Sequence, residues 1–282
     1  MKRRNLVWSV MASCLISCFL LSGCNGQKQI DSETVKSVKV EEQARLQDDP
    51  SSPACKMTID YSYLPESSEA DSIAQRINRA IQGKTLGKQY ARMNPEAAVD
   101  SFKNAYIANH RKEVNYFYQQ DIENGTPKDE LPMWYNYEYG LTTRFSDGKE
   151  GILNFVAETF EYKGGAHPNS WNQWMNFEKS TGKLLTLKDV FMAGSEKPMS
   201  EMLLEELITE MAARLEDSSI TSLEGLQNAG ILNATDMYVP DNFLLEKDAV
   251  SFLYNKYDIA PYAVGVITLS LPYPSVEKYM IH

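Results

Sequence analysis

Polar and apolar residues alternate over 56–64, where Met57, Ile59, Tyr61 and Tyr63 fall on one face. That period of two predicts a strand, which Pro65 ends. The period then changes. Ile73, Ile77 and Ile81 recur at helical spacing, with Ser68 and Asp71 as a cap-like start and Gly83 as the stop. A longer helix opens at Asn94-Pro95 and carries Val99, Phe102, Tyr106, Val114 and Phe117 on its apolar stripe. His110 lies one turn past Tyr106 and reads as a packing residue. Residues 119–131 contain Asn124-Gly125-Thr126-Pro127 and read as a loop. A strand over 133–145 follows, and Asp147-Gly148 signals a type I′ turn into a return strand over 152–160. Trp134, Tyr135, Tyr137 and Tyr139 make this hairpin strongly aromatic. The pattern favours a core or cross-strand stack over an exposed face suited to sugar rings.

Further strands are expected over 171–177 and 184–187, joined by the turn Ser180-Thr181-Gly182-Lys183. Pro198 opens a third helix with Met202, Leu203, Leu207, Met211 and Leu215 on its stripe. Residues 218–236 are mixed and polar, and three strands follow over 242–245, 250–255 and 264–271. Helices alternating with hairpins predict an α+β fold of antiparallel sheets with helices packed on one face. Two closely associated subdomains are expected, 55–150 and 151–282, with a soft boundary near Glu150 that the hairpin over 133–160 straddles.

The N-terminus reads as a targeting segment. Lys2-Arg3-Arg4 precedes an apolar stretch over 6–21, and Leu21-Ser22-Gly23-Cys24 resembles a bacterial lipobox. Residues 1–23 are therefore expected to be a lipoprotein signal peptide, with Cys24 lipidated and anchoring the chain to a membrane. Residues 24–54 are polar, end in Asp48-Asp49-Pro50-Ser51-Ser52-Pro53, and read as a flexible tether. The expected location is the cell envelope, facing periplasm or exterior.

Composition narrows the partners. The chain has 282 residues, 43% of them hydrophobic, and a formal net charge of -10. Removing residues 1–23, which hold three basic residues and no acid, takes that charge from -10 to -13. Such a chain is repelled by nucleic acid phosphates and attracts basic partners. Of four cysteines, Cys14 and Cys18 leave with the signal and Cys24 takes the lipid, so Cys55 has no intramolecular partner and reads as a small buried hydrophobe.

The candidate chemistry lies between the strands over 152–160 and 171–177. Gly164 and Gly165 permit positive φ or a close backbone approach, and Pro168 restrains His167. His167 is the one candidate general base, although a loop histidine that merely braces the turn fits the same residues. Gly83-Lys84-Thr85 fails as a P-loop because its first required glycine falls on Asn78. The sequence has no Gly-x-Ser-x-Gly, Gly-x-Gly-x-x-Gly or His-Glu-x-x-His. With His110, His167 and His282 the only histidines, a three-histidine zinc site would need all three to meet. Neither a cofactor nor a metal is expected.

Gly-Gly-Ala-His-Pro-Asn at 164–169, Asn176, Thr181-Gly182-Lys183, Leu187-Lys188-Asp189-Val190-Phe191 and the run Tyr257-Asp258-Ile259-Ala260-Pro261-Tyr262-Ala263-Val264-Gly265 resemble one family. This is the extracytoplasmic domain shared by RsiV, a lysozyme-sensing anti-sigma factor, and PdaC, a peptidoglycan deacetylase. The resemblance covers roughly residues 55–280. It implies a non-enzymatic binding role towards a basic protein such as lysozyme or towards a cell-wall glycan, with Gly164, Gly165, His167, Asn169, Trp171 and Tyr262 as binding residues. Neither a sigma-binding segment before Cys24 nor the deacetylase domain is expected, so only the binding part would carry over. Two other readings use the same residues: an enzyme acting on cell-wall glycan through His167, and a structural or assembly lipoprotein of the envelope.

Overall fold

The computed structural model describes residues 32–66 and 72–281. The signal segment, Cys24, the Ser68–Asp71 cap and His282 lie outside the described residues. The chain is α+β, as the pattern predicts, with one six-stranded and one three-stranded sheet. The first sheet runs in chain order: β1 (Lys36–Arg45), β2 (Ala54–Tyr63), β3 (Tyr137–Asp147), β4 (Ile152–Tyr162), β5 (Asn169–Glu178) and β6 (Leu184–Leu185). All neighbours are antiparallel except β2 and β3, which pair in parallel with Cys55 opposite Tyr137. A parallel pair needs a long crossover. Here α1 (Ile73–Thr85) and α2 (Pro95–Glu123) supply it.

The expected tether contains β1. All ten of its residues pair with β2, from Lys36 opposite Tyr63 to Arg45 opposite Ala54. Its half-buried positions alternate as Val38, Val40, Glu42 and Ala44. Only three are apolar and all are short, so the alternation is faint in a charged segment. The charges suit an edge strand, whose outer groups would otherwise invite another chain. Glu42 and Asp60 hold the strand further, through Lys103 at 2.9 Å and Lys39 at 3.0 Å.

One face of β2 buries Cys55, Met57, Ile59, Tyr61 and Tyr63 under the two helices. The start of α1 is Ser72 rather than Ser68: its side chain accepts from the Gln75 amide while Gln75 reaches back to the Ser72 N–H. The helix passes Gly83 and stops after Thr85. Two amide side chains inside α1 serve the chain around it. Asn78 pairs with both backbone groups of Leu64, and Gln82 donates to the Tyr90 and Met93 carbonyls. Asn94 caps α2 as expected, but the helix runs to Glu123, so the first residues of the expected loop are helical. Tyr118, not Phe117, is buried at its C-terminal end. His110 is fully buried, with Nε2 2.8 Å from the Tyr135 carbonyl oxygen. Tyr135, Tyr137 and Tyr139 are in the core, although residues 133–135 form a 3-10 turn before the strand begins.

Cys55 is fully buried, and burial pushes its thiol up to about 11. Alkylation at pH 8 should therefore spare Cys55 in the folded protein and modify it promptly in denaturant. Peptide mass spectrometry reads this directly, and equal modification in both states would contradict it.

The second core lies under β7 (Phe243–Leu245), β8 (Ala249–Tyr254) and β9 (Ile267–Pro272), an antiparallel sheet. Packed with it are α3 (Leu187–Val190), α4 (Glu196–Arg214), α5 (Leu223–Asn228) and α6 (Tyr273–Val276). Met199, Leu203, Leu207 and Met211 are the buried stripe of α4, and Leu215 is exposed beyond its end. Along the chain, residues of the first core run to Leu184 and those of the second start at Leu185, with Ile152 of β4 also packing on the second. The turn at 148–151 is internal to the β3–β4 hairpin. In that turn positive φ falls on Gly151, not Gly148. Gly148 serves a close approach instead, since a Cβ there would sit 2.2 Å from the Leu245 carbonyl oxygen. No helix among the described residues is long and apolar enough to cross a membrane.

Candidate functional site

The two units meet along the free edge of β5, and asparagines cover that edge. Asn172 N–H donates to Asn255 Oδ1 at 2.7 Å, and its carbonyl accepts from Asn242 at 2.9 Å and Asn255 at 3.0 Å. Trp174 N–H donates to Asn242 Oδ1 at 2.6 Å. Further along, Asn176 Nδ2 donates to the Phe243 carbonyl at 2.9 Å and Oδ1 accepts from Leu245 N–H at 2.7 Å. Asn154 donates to the Leu245 carbonyl at 3.2 Å. A side-chain amide offers an NH2 donor and a carbonyl acceptor, so Asn176, Asn242 and Asn255 each imitate a residue of a neighbouring strand.

This seam brings the loop between β4 and β5 against the loop after β8. Gly164 has φ +69° and lies so close to the 133–135 turn that a Cβ would fall 2.3 Å from Trp134 Cα. Gly165 has neither constraint; open space surrounds it, and its carbonyl accepts from Tyr162 Oη at 3.1 Å. His167 is exposed and stacks on Tyr262, with ring centroids 3.9 Å apart at 20°. Its Nε2 is 3.0 Å from Tyr257 Oη and its Nδ1 is 3.2 Å from the Pro168 carbonyl oxygen. Tyr262 Oη donates to that same carbonyl at 3.2 Å. Stacking and hydrogen bonding, more than Pro168 alone, fix the imidazole.

Tyr257 completes the cluster. It is 62% exposed and takes φ +72°, a region that strains residues bearing a Cβ by roughly 1–2 kcal/mol. The turn around it compensates: Asn255 N–H donates to Asp258 Oδ2 at 2.7 Å and Tyr257 N–H to the Ala260 carbonyl at 3.2 Å. Lys256 lies 4.2 Å from the Tyr262 ring centroid and donates to Ser170 Oγ at 2.8 Å.

Of the expected residues, the fold brings together His167 and Tyr262, while Gly164 packs on Trp134. Asn169 begins β5 as an exposed residue opposite Glu161, and Trp171 is half-buried opposite Thr159. Among the described residues no ring contact joins Trp171 to His167 or Tyr262. The sequence reading missed Tyr257, Lys256 and Ser170. Tyr257 and Tyr262 fall in the second motif, and only their proximity to the first would have joined them.

Three rings share one exposed patch, with a cation behind Tyr262. Lys256 Nζ and Ser170 Oγ lie within hydrogen-bond distance of each other, and Lys256 sits over the face of Tyr262. Asp258 is committed to its turn. Among the described residues no group of three or more His, Cys, Asp or Glu is placed to hold a metal ion.

The remaining motif residues act structurally. Gly182 takes φ +71° at the turn, Lys183 pairs with Asp189, and Asp189 closes a capping box with Thr186 at the start of α3. Lys183 beside it holds the Asp189 carboxyl down at about 2.

Residues 188–274 match the model of a family described as "Protein of unknown function (DUF3298)". None of the curated proteins matches. The crystal structure of a DUF3298 family member from Bacteroides fragilis superposes with a TM-score of 0.78 at 27% identity, covering 88% of this chain and 93% of that one. A DUF3298 family protein from Pseudomonas aeruginosa PAO1 gives a TM-score of 0.59 at 16% identity, with 88% and 94% covered, and shares the fold. The chain is thus similar over most of its length to solved DUF3298 family proteins, and its residues 188–274 match that family's model.

Proposed function

We propose that this chain is a lipid-anchored lipoprotein of the cell envelope with a non-enzymatic binding role, and that the His167–Tyr257–Tyr262 patch makes the contact. The observation that carries the reading is the patch itself. An exposed tyrosine held at positive φ costs stability unless something uses it, and local strain of this kind collects at functional sites. Aromatic rings also bury large area at little rotamer cost, which suits binding anchors.

The partner is a basic protein such as lysozyme, as the RsiV/PdaC resemblance implies; the acidic charge supports that choice over nucleic acid. Immobilised protein should capture lysozyme saturably and leave soluble muropeptides chemically intact. Turnover of muropeptides would replace this reading with the glycan-acting enzyme. Absence of lysozyme binding, with muropeptides bound but unaltered, would move the partner to cell-wall glycan. Binding of neither would leave the assembly role.

The anchor has its own test. Metabolic labelling with an acyl analogue should tag the wild type and leave Cys24→Ala unlabelled, and equal labelling of both would remove the anchor from the account. Two or three chains, as on bacterial lipoproteins, hold a protein stably where one does not.

A further inference from the structure

We propose that the cavity between α3, the start of α4 and the last residues of the chain binds a short zwitterionic ligand with large apolar side chains, such as an apolar di- or tripeptide. The cavity has a volume of about 570 Å³, within the ~300–1,000 Å³ typical of small-molecule sites. Leu187, Phe191, Met199 and Val239 give it apolar walls, and Met192 and Ile281 form an exposed apolar lip. Backbone bonds fix the C-terminal wall: Met192 N–H donates to the Tyr279 carbonyl and Ile281 N–H to that of Val190, both at 2.8 Å. The walls are therefore built from secondary-structure contacts and preformed.

The polar groups at this cavity set the ligand class. Lys188, Glu196 and Asp241 line it, and none makes an ion pair or side-chain hydrogen bond among the described residues. Ser195 also lines it, is only 5% exposed, and leaves its hydroxyl without a hydrogen bond, although it occupies the N-cap position of α4. The hydroxyl opens to the cavity, where a ligand can take the place of water on it. Unpaired charges of both signs around an apolar floor call for a ligand carrying both signs itself. Lys188 and the Ser195 hydroxyl would take its carboxylate, Glu196 and Asp241 its ammonium, and the walls its side chains. A fatty acid would leave the two carboxylates unanswered, and a simple alkylamine would leave Lys188 so.

This site shares no residue with the His167 patch, so the proposal stands or falls independently of the binding role given to that patch. Calorimetric titration of the purified full-length protein with the dipeptide Leu-Phe tests it, with N-acetyl-Leu-Phe-amide as the uncharged counterpart. Saturable one-to-one binding of Leu-Phe is expected, at least about tenfold weaker for the uncharged form. Lys188→Met and Asp241→Asn should each weaken Leu-Phe by about tenfold at an unchanged melting temperature. Met199→Trp should fill the cavity and abolish binding; should it fail to fold, Val239→Trp serves the same purpose from the opposite wall. No saturable binding of Leu-Phe, equal binding of the uncharged form, or indifference to both charge substitutions would overturn the proposal.

Discussion

Gly164→Ala should destabilise the protein by roughly 2–5 kcal/mol, while Gly165→Ala should change stability by no more than about 0.5 kcal/mol. The two glycines are adjacent and chemically identical, so the contrast comes only from their surroundings. At Gly164 a side chain meets two penalties. Positive φ costs a residue with a Cβ about 1–2 kcal/mol. The Cβ would also strike the backbone of Trp134 at 2.3–2.4 Å, and overpacking of that kind adds about 1–3 kcal/mol. Backbone cannot rotate aside as a flexible side chain can, so the 133–135 turn or the loop itself must shift. At Gly165 nothing lies within reach of a Cβ and φ is not positive, which makes Ala an ordinary surface substitution. Thermal melts of the two variants read the difference, which amounts to several degrees or more for a chain of this size. Equal melting temperatures would mean that the loop does not pack on Trp134.

Asn176→Ala should cost roughly 2–6 kcal/mol, as much as the glycine change, although it removes only a small polar side chain. The residue is 1% exposed, and its amide meets both the Phe243 carbonyl and the Leu245 N–H of the second sheet. Truncation strands a buried donor and a buried acceptor, each at about 1–3 kcal/mol. Asn176→Asp discriminates further. It keeps the acceptor for Leu245 but faces a carboxylate towards the Phe243 carbonyl, and a buried charge without a partner is worse than a missing bond. It should therefore be no milder than Asn176→Ala. Urea unfolding measures both, with exposed Asn169→Ala as the control within about 0.5 kcal/mol. If Asn176→Ala matched Asn169→Ala, the asparagine seam would not be what joins the two sheets.

What the sequence conveyed and what it hid divide along physical lines. The C-terminal meander, the stripe of α4, the aromatic core of the hairpin and the burial of Cys55 were legible because each rests on large apolar side chains at a fixed period. The strand β1 was not, because its half-buried positions are Val, Glu and Ala and an edge strand needs only one weakly apolar face. The parallel pairing of β2 with β3 was equally hidden. A period of two fixes which face is buried, but it does not say which strand lies alongside or in which direction. Asparagines at 154, 172, 176, 242 and 255 carry no apolar period, so nothing local reveals that they stitch one sheet to another. The candidate site was half legible. His167 and Tyr262 lie in two motifs of one resemblance, but Tyr257 matters through its backbone conformation, and Trp171 and Asn169 owed their place to proximity in sequence.

The central claim is that the exposed patch serves binding and not the fold. Its most direct test is a paired measurement on His167→Ala and Tyr257→Ala: melting temperature beside affinity for lysozyme. The account predicts melting temperatures within a degree or two of wild type, because both side chains are exposed, and affinity weakened by about tenfold or more for each, or ~1.4 kcal/mol. Melting temperatures lowered by several degrees with affinity unchanged would contradict it and make the patch a brace between the two loops.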